Sequence, residues 1–314
     1  MSDTAAVAAV DCGTNSTRLL VVRESGEVAA REMRITRLGA GVDASRRLQP
    51  EAIGRTLDVL KEYRTIMDAE QVRRVRLVAT SAVRDATNPE AFLEPASDVV
   101  GVQAEVLSGD EEGRVSYAGA TADLPAVAGH TVVVDIGGGS TEIVTRAGGA
   151  IAAISLDIGC VRLTERYLRS DPPAPDEIEA ARRAIHAELD RATQEVLALA
   201  RLGPADRLVG LAGTVSTLAS LELGLVHYDR DRIHHSVLPL ASVERWCDTL
   251  GAERVRERAE RAAITSGRED VIFGGALVLR ETMLRLGLAE CVVSEADILD
   301  GLVLGLRGKR DPKR

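Results

Sequence analysis

V-V-V-D-I-G-G-G-S-T-E-I-V-T, residues 132–145, decides how this chain is read. An apolar run reaches Asp135. Gly137, Gly138 and Gly139 follow, and Ser140, Thr141 and Glu142 lead into a second apolar run. Two β-rich runs joined by a short glycine segment predict a β-hairpin. Three successive glycines expose backbone N–H groups and carry no side chain to fend off a bulky anion, so the turn can cradle phosphate. Asp135, at the end of a buried strand, suits a hard ion such as Mg²⁺, which takes one or two carboxylates together with phosphate oxygens. Ser140 and Thr141 add hydroxyl donors.

The same device stands earlier, in V-D-C-G-T-N-S-T-R-L-L-V at residues 10–21. Asp11 corresponds to Asp135, Gly13 to Gly137, and Ser16-Thr17 to Ser140-Thr141, at a constant offset of 124. Two ordinary hairpins with glycine turns would give part of this pattern. Recurrence of Asp, Gly, Ser and Thr in register points instead to a repeated unit and two related domains. The expectation is that their phosphate loops face each other across a cleft.

At 314 residues the chain has room for two domains with proper cores, and 45% hydrophobic residues is ordinary for a globular protein. A net charge of −9 and a pI near 5.3 argue against nucleic acid as the main partner. Only 2% of residues are aromatic, which excludes a base-stacking platform. Cys12, Cys160, Cys247 and Cys291 form no C-x-x-C pair, which fits reduced thiols in a cytoplasmic protein rather than a zinc site. The start M-S-D-T-A-A-V-A-A-V lacks the basic region of a signal peptide, and no apolar stretch is long enough to span a bilayer.

Strands are expected at 5–10, 19–23 and 27–37. Pro50 then opens a helix whose apolar face carries Ile53, Leu57, Leu60, Arg64 and Met67. A strand over 75–80 ends in T-S-A-V-R-D-A-T-N, Asn88-Pro89 begins a short helix, and 99–107 reads as a strand running into S-G-D-E-E-G-R. This pattern predicts an α/β domain. Residues 121–129 look like the crossover into the second domain, with its third strand over 149–156. Pro175 starts a long amphipathic helix to 200 with Ile178, Ala181, Ile185, Leu189 and Val196 on one face. The strand at 207–211 ends in A-G-T-V-S-T-L, a third small-residue loop entering a helix, where Gly213 and Thr214 would favour an anion. Helices follow over 242–250, 253–263 and 274–286, then a strand over 291–294 and a last helix over 296–306.

Phosphate chemistry needs a way to make water attack phosphorus. Asp110, Glu111 and Glu112 start a helix after a strand, where a carboxylate can act as a general base. On the residues alone, acids favoured by a helix N-terminus explain them better. Arg84 can fork onto phosphate oxygens or pair with Asp85 at the surface, and Arg18 in the first loop leaves the same two choices. His234-His235 fit a loop lid or an exposed polar loop, and neither has metal-ligand spacing to another His or Cys. No G-K-[ST] follows Gly139, so this is not a Walker A loop.

D-C-G-T-N-S-T-R, A-T-S-A-V-R-D-A-T-N, S-G-D-E-E-G-R, D-I-G-G-G-S-T-E and G-L-A-G-T-V-S-T-L occur in this order. Together they resemble the exopolyphosphatase and guanosine pentaphosphate phosphohydrolase (Ppx/GppA) family, over roughly residues 7–306. The resemblance implies two ribonuclease-H-like domains of the sugar-kinase, actin and chaperone superfamily flanking a cleft. One is expected over 1–124 with a returning 300–314 segment, the other over 125–299. It implies Glu112 as catalytic base and Asp135 as the Mg²⁺-linked aspartate, with Asp11 and Glu142 as further metal carboxylates. Gly137, Gly138, Gly139, Ser140 and Glu142 match the second phosphate loop. Asp11, Gly13, Asn15, Ser16 and Arg18 match the first, Ser81 and Arg84 the phosphate contacts after the strand at 75–80, and Gly213 and Thr214 the third loop.

The implied activity is Mg²⁺- or Mn²⁺-dependent release of terminal phosphate from inorganic polyphosphate, in a cytoplasmic homodimer. Guanosine pentaphosphate hydrolysis is the nearest rival. A kinase of the same superfamily and a non-catalytic nucleotide sensor or scaffold are the others. Two features depart from the family. The helical C-terminal extension of longer members has no counterpart in these 314 residues, as in the compact actinobacterial forms. The family's G-L-R-E-G is D-I-L-D-G at 297–301, so an arginine contact near the last helix is missing.

Overall fold

Val7–Cys12 (β1) is buried at every position, as a strand must be when both faces of its sheet are covered. β2 (Ser16–Val22) and β3 (Val28–Ile35) lie antiparallel on one side of it. β4 (Arg74–Ala79) and β5 (Ala104–Val106) lie parallel on the other, giving the order β3-β2-β1-β4-β5. The computed structural model describes residues 5–147, 149–203 and 205–308. It separates into two units, Met1–Ala122 with Asp297–Arg314, and Asp123–Ala296.

Alternation of side chains along β1 splits the first unit's core in two. Ala8, Val10 and Cys12 join Leu60, Tyr63 and Met67 of the Pro50–Ala69 helix and Phe92 of the Glu90–Val100 helix. Val7 and Ala9 join Val115 of the Gly109–Thr121 helix and Ile298, Leu302 and Leu306 of the Ile298–Leu306 helix. Asp11 continues the odd-numbered series, which brings it out on the face of these last two helices. They cross closely: a Cβ on Gly119 would overlap the Asp297 carbonyl, and one on Gly301 the Val115 carbonyl.

The second unit repeats the plan. β6 (Thr131–Ile136), β7 (Thr141–Ala147) and β8 (Ala150–Leu156) form an antiparallel meander. β9 (Arg207–Leu211) is parallel to β6, β11 (Glu290–Val293) is parallel to β9, and β10 (Val237–Pro239) closes the edge. The order is β10-β11-β9-β6-β7-β8, so the hairpin repeat of the sequence heads two sheets of like topology. One core contains Val132, Val134 and Ile143 from the sheet with Ile185 and Leu277 from the flanking helices. Within it, buried Glu281 of the Ile272–Leu286 helix meets His186 Nε2 at 2.6 Å and accepts from Arg182 Nε at 3.1 Å and Arg280 Nη2 at 2.7 Å. Trp246 donates from Nε1 to Glu222 at 2.9 Å, and the Arg245 and Arg261 guanidiniums lie 5.9 and 5.4 Å from its ring centre.

Several expected elements are corrected. Residues 99 and 100 end the Glu90–Val100 helix, which Gly101 closes at φ 80°, so only Ala104–Val106 of the expected 99–107 strand is strand. The Pro50–Ala69 helix buries Ala52, Thr56, Leu60, Tyr63 and Met67, a face rotated slightly from the expected one. The long helix stops at Glu195, short of 200. The helix expected over 253–263 is only Val255–Ala259. There is no third loop: the helix Ala212–Glu222 starts directly after β9, with Ala212 at φ 66°. The helix Cys160–Tyr167 and strand β10 were not foreseen.

Candidate active site

The two hairpins are built alike. Gly13 N–H donates to Ser16 O at 3.0 Å, and Gly137 N–H donates to Ser140 O at 3.0 Å. In register, Asp11 faces Arg18 across β1 and β2, and Asp135 faces Glu142 across β6 and β7. The repeat has therefore kept the aspartate and reversed the charge opposite it.

In the first unit Arg18 gives both Nε (3.0 Å) and Nη2 (2.6 Å) to Asp11 Oδ2, and Nη1 to Asp297 Oδ2. A guanidinium so engaged is a holder of Asp11 rather than an open phosphate clamp. Asp11 is 3% exposed, and its Oδ1 accepts no hydrogen bond among the described residues. Burial pushes its carboxyl above the ordinary 3.8, outweighing the pull of Arg18. The first loop is anchored by Asn15, whose carbonyl accepts from Thr36 N (3.1 Å) and Arg37 N (3.0 Å). Thr14 and Ser81 share a buried hydroxyl hydrogen bond of 2.8 Å, which brings Ser81 to the first loop. Ser81 opens the short helix Ser81–Asp85, and Arg84 on that helix donates to Leu107 O (2.8 Å) and Glu112 Oε2 (3.0 Å). Ser108 caps the Gly109–Thr121 helix in a reciprocal box with Glu111, which places Glu112 one residue further in, 9% exposed. Glu111 thus serves the cap, and Glu112 is the carboxylate joined to Arg84.

In the second unit the carbonyls of the glycine loop are all taken. Cys160 N donates to Gly137 O (3.0 Å), Val161 N to Gly138 O (2.9 Å), and Arg162 Nε to Gly139 O (2.6 Å). The start of the Cys160–Tyr167 helix packs so closely that a Cβ on Gly159 would overlap Gly138. With the carbonyls turned to that helix, the N–H groups of Gly138, Gly139 and Ser140 meet no backbone carbonyl among the described residues. Ser140, Asp135 and Glu142 are buried, and Ser155 Oγ donates to Glu142 Oε1 at 2.7 Å. Two buried carboxylates directly opposite on neighbouring strands repel. A divalent cation beside a row of N–H donors relieves that repulsion, and the oxygen-only donor set suits Mg²⁺ or Mn²⁺.

Gly213 and Thr214 sit in the first helical turn after β9 rather than in a loop. Gly275 makes room for buried Thr214, and Gly213 is covered by Arg268, whose guanidinium a Cβ there would overlap. Arg268 also lies near enough to Cys160 to act on its thiol, though burial dominates and pushes that thiol up to about 11. A cation and a helix N-terminus both favour an anion. No motif in S-G-R-E-D marks Arg268, so sequence reasoning missed it. His234 and His235 lie against Asp123. His234 Nε2 meets Asp123 at 2.9 Å and its Nδ1 accepts Glu295 N–H at 3.0 Å. With Nδ1 accepting, the neutral ring carries its proton on Nε2 and has no lone pair there for a metal in the Asp123, His234 and His235 cluster.

The sequence profile of the Ppx/GppA phosphatase family matches residues 20–309. The chain belongs to the Ppx/GppA phosphatase family. It is 45% identical to Exopolyphosphatase 2 of Mycobacterium tuberculosis over 96% of this chain and 98% of that one. It is 35% identical to a solved exopolyphosphatase-like protein, with a TM-score of 0.90 over 97% of this chain and 99% of that one. The Aquifex aeolicus Ppx/GppA structure is 34% identical, with a TM-score of 0.79 over 97% and 98%. The two mixed sheets are those of the ribonuclease-H-like, actin-like fold of Ppx/GppA proteins.

Proposed function

We propose that this Ppx/GppA protein is an exopolyphosphatase, hydrolysing the terminal phosphoanhydride of inorganic polyphosphate and releasing orthophosphate. The buried Asp135–Glu142 pair beside the donor row of Gly138, Gly139 and Ser140 carries the reading. Near-full-length similarity to a protein named Exopolyphosphatase 2 supports the substrate.

In this reading Asp135 and Glu142 would hold Mg²⁺ or Mn²⁺ in the second unit, and in the first unit Asp11 Oδ1 is a carboxylate oxygen that could meet a cation. When bound, the cation neutralises phosphoryl oxygens. The loop N–H groups receive the same oxygens, and Arg268 adds charge at the first turn of the Ala212–Glu222 helix. Glu112 orients the attacking water and takes its proton, while Arg84 keeps that carboxylate in one orientation. Catalysis is placement and charge stabilisation, as is usual for phosphoryl transfer. We further take the protein as a cytoplasmic homodimer. Its four free cysteines are all buried, which suits a reducing compartment. Among the described residues no helix is long and apolar enough to cross a membrane.

The test is phosphate release from short polyphosphate, long polyphosphate, guanosine pentaphosphate and ATP, with Mg²⁺ or Mn²⁺ and with EDTA. Turnover of polyphosphate that EDTA abolishes and that falls roughly 10²-fold or more in Glu112→Ala supports the reading. Cleavage of guanosine pentaphosphate alone keeps the chemistry and changes the substrate. No turnover removes the enzyme reading in favour of a nucleotide sensor, and a fully active Glu112→Ala removes the mechanism assigned to Glu112. Light scattering on the purified chain tests the dimer.

A further inference from the structure

Three carboxylates and two arginines lie together where the Ile298–Leu306 helix begins under β1. Their oxygens can be followed one by one. Asp300 Oδ1 accepts from Arg31 Nη2 at 2.6 Å, and Asp300 Oδ2 accepts Asp297 N–H at 2.9 Å. Asp297 Oδ1 accepts Leu299 N–H at 2.9 Å, and Asp297 Oδ2 accepts from Arg18 Nη1. Asp11 Oδ2 accepts twice, from Arg18 Nε and Nη2. The remaining oxygen, Asp11 Oδ1, is buried and without a hydrogen-bond partner among the described residues.

The geometry of Arg18 is what singles that oxygen out. A guanidinium free to meet a carboxylate does so fork to fork, one nitrogen on each oxygen. Here Asp297 holds Nη1, and the Nε–Nη2 edge meets Asp11 on one oxygen alone. Asp297 is itself fixed, by the helix start it caps and by Asp300, which Arg31 of β3 steadies. A buried carboxylate oxygen with no donor is costly unless something positive reaches it.

We infer that Asp297 is a positioning residue for metal binding at Asp11: through Arg18 it orients Asp11 so that Oδ1 alone is presented to a cation. The arrangement explains how D-I-L-D-G works without the family's arginine, because Arg18 and Arg31 arrive at the last helix from β2 and β3. The inference rests on reading Asp11 as a metal-facing carboxylate. Loss of an outer partner of a metal ligand typically weakens metal binding about 10- to 100-fold.

The test is Mn²⁺ binding, followed by the electron paramagnetic resonance of free Mn²⁺, on the full chain without substrate. Asp297→Ser keeps a helix-capping hydroxyl but removes the Arg18 contact, and Asp297→Asn keeps the cap and the shape but not the charge. Both are expected to keep the thermal midpoint of wild type within a few degrees and to bind Mn²⁺ about 10-fold or more weakly. Arg18→Lys, which cannot offer the paired edge, is expected to follow them. Asp11→Asn is expected to weaken binding at least as much. Wild-type Mn²⁺ affinity in both Asp297 variants, with Asp11→Asn impaired, overturns the inference and leaves Asp11 as a ligand. Unchanged affinity in Asp11→Asn overturns it as well. If Asp135→Asn is also unchanged, the metal reading of the site falls with it.

Discussion

Arg18 and Glu142 occupy equivalent positions of a repeated hairpin and carry opposite charges. The first hairpin thus supplies its own counter-charge, whereas the second leaves its aspartate facing another acid. Glu142→Gln should therefore have two opposite effects. In EDTA its thermal midpoint should rise by about 1–4 °C, because relief of a like-charge pair is worth a few tenths to 1 kcal/mol. The additional rise produced by Mn²⁺ should shrink, since that gain scales with affinity for the folded state. Calorimetry with and without Mn²⁺ checks both signs. Gly213 makes the second residue-scale case. In Gly213→Ala the clash falls on the far end of a flexible side chain, so Arg268 can swing aside without unfolding the helix. Stability should change little while kcat/KM for polyphosphate falls about 10- to 100-fold, the loss expected for one charged contact. Asp135 could be read from its place in a glycine motif. Arg268 could not, because only the fold brings it over Gly213.

At the scale of elements, the helices at Gly109–Thr121 and Ile298–Leu306 show how a packing detail governs the site. Glu112 rides on the first of them, and Gly119 lets it lie against the second. Replacing glycine by alanine inside a helix normally stabilises by up to about 1 kcal/mol. Here the sign should reverse, because the obstructing atom is the Asp297 backbone carbonyl, which cannot rotate away. Gly119→Ala should lose about 1–3 kcal/mol in urea unfolding, as overpacked cores do. Both hairpins, the first domain's succession of strands and helices up to residue 80 and the Pro50 helix were legible because period-2 and helical patterns repeat without interruption. Residues 99–107 misled because Val99, Val100 and Val102 look like one apolar run. Gly101, in the left-handed region that closes helices, divides it. The Cys160–Tyr167 helix escaped notice for a related reason: its start is fixed by glycine-loop carbonyls distant in sequence, not by a capping side chain of its own.

For the whole molecule, acid stability should be set by buried carboxylates that are held ionised. Burial alone would raise the Glu281 carboxyl. The hydrogen bonds from His186 and Arg280, with the charges of Arg280 and Arg182, outweigh it and hold the group below the ordinary 4.5. A carboxyl depressed in the folded state stabilises above its unfolded value and loses that contribution as pH falls through its folded value. The thermal midpoint should therefore drop as pH is taken below about 4.5. Glu281→Gln should be less stable than wild type at pH 7, where it removes the buried carboxylate that His186, Arg182 and Arg280 share, and the gap should narrow below pH 4. Scanning calorimetry from pH 7 to 3 checks it.

Trp246 has a consequence for how this protein can be watched. It is the sole tryptophan of the chain, and it belongs to the Asp123–Ala296 unit. Its indole is hydrogen-bonded to Glu222 and flanked by two guanidiniums, contacts that unfolding of this unit removes. Its emission is therefore a built-in gauge of one half of the chain. Circular dichroism averages over both halves, so plotting the two signals on one denaturation curve separates the melting of the glycine-loop unit from that of the unit carrying Glu112, with no label attached.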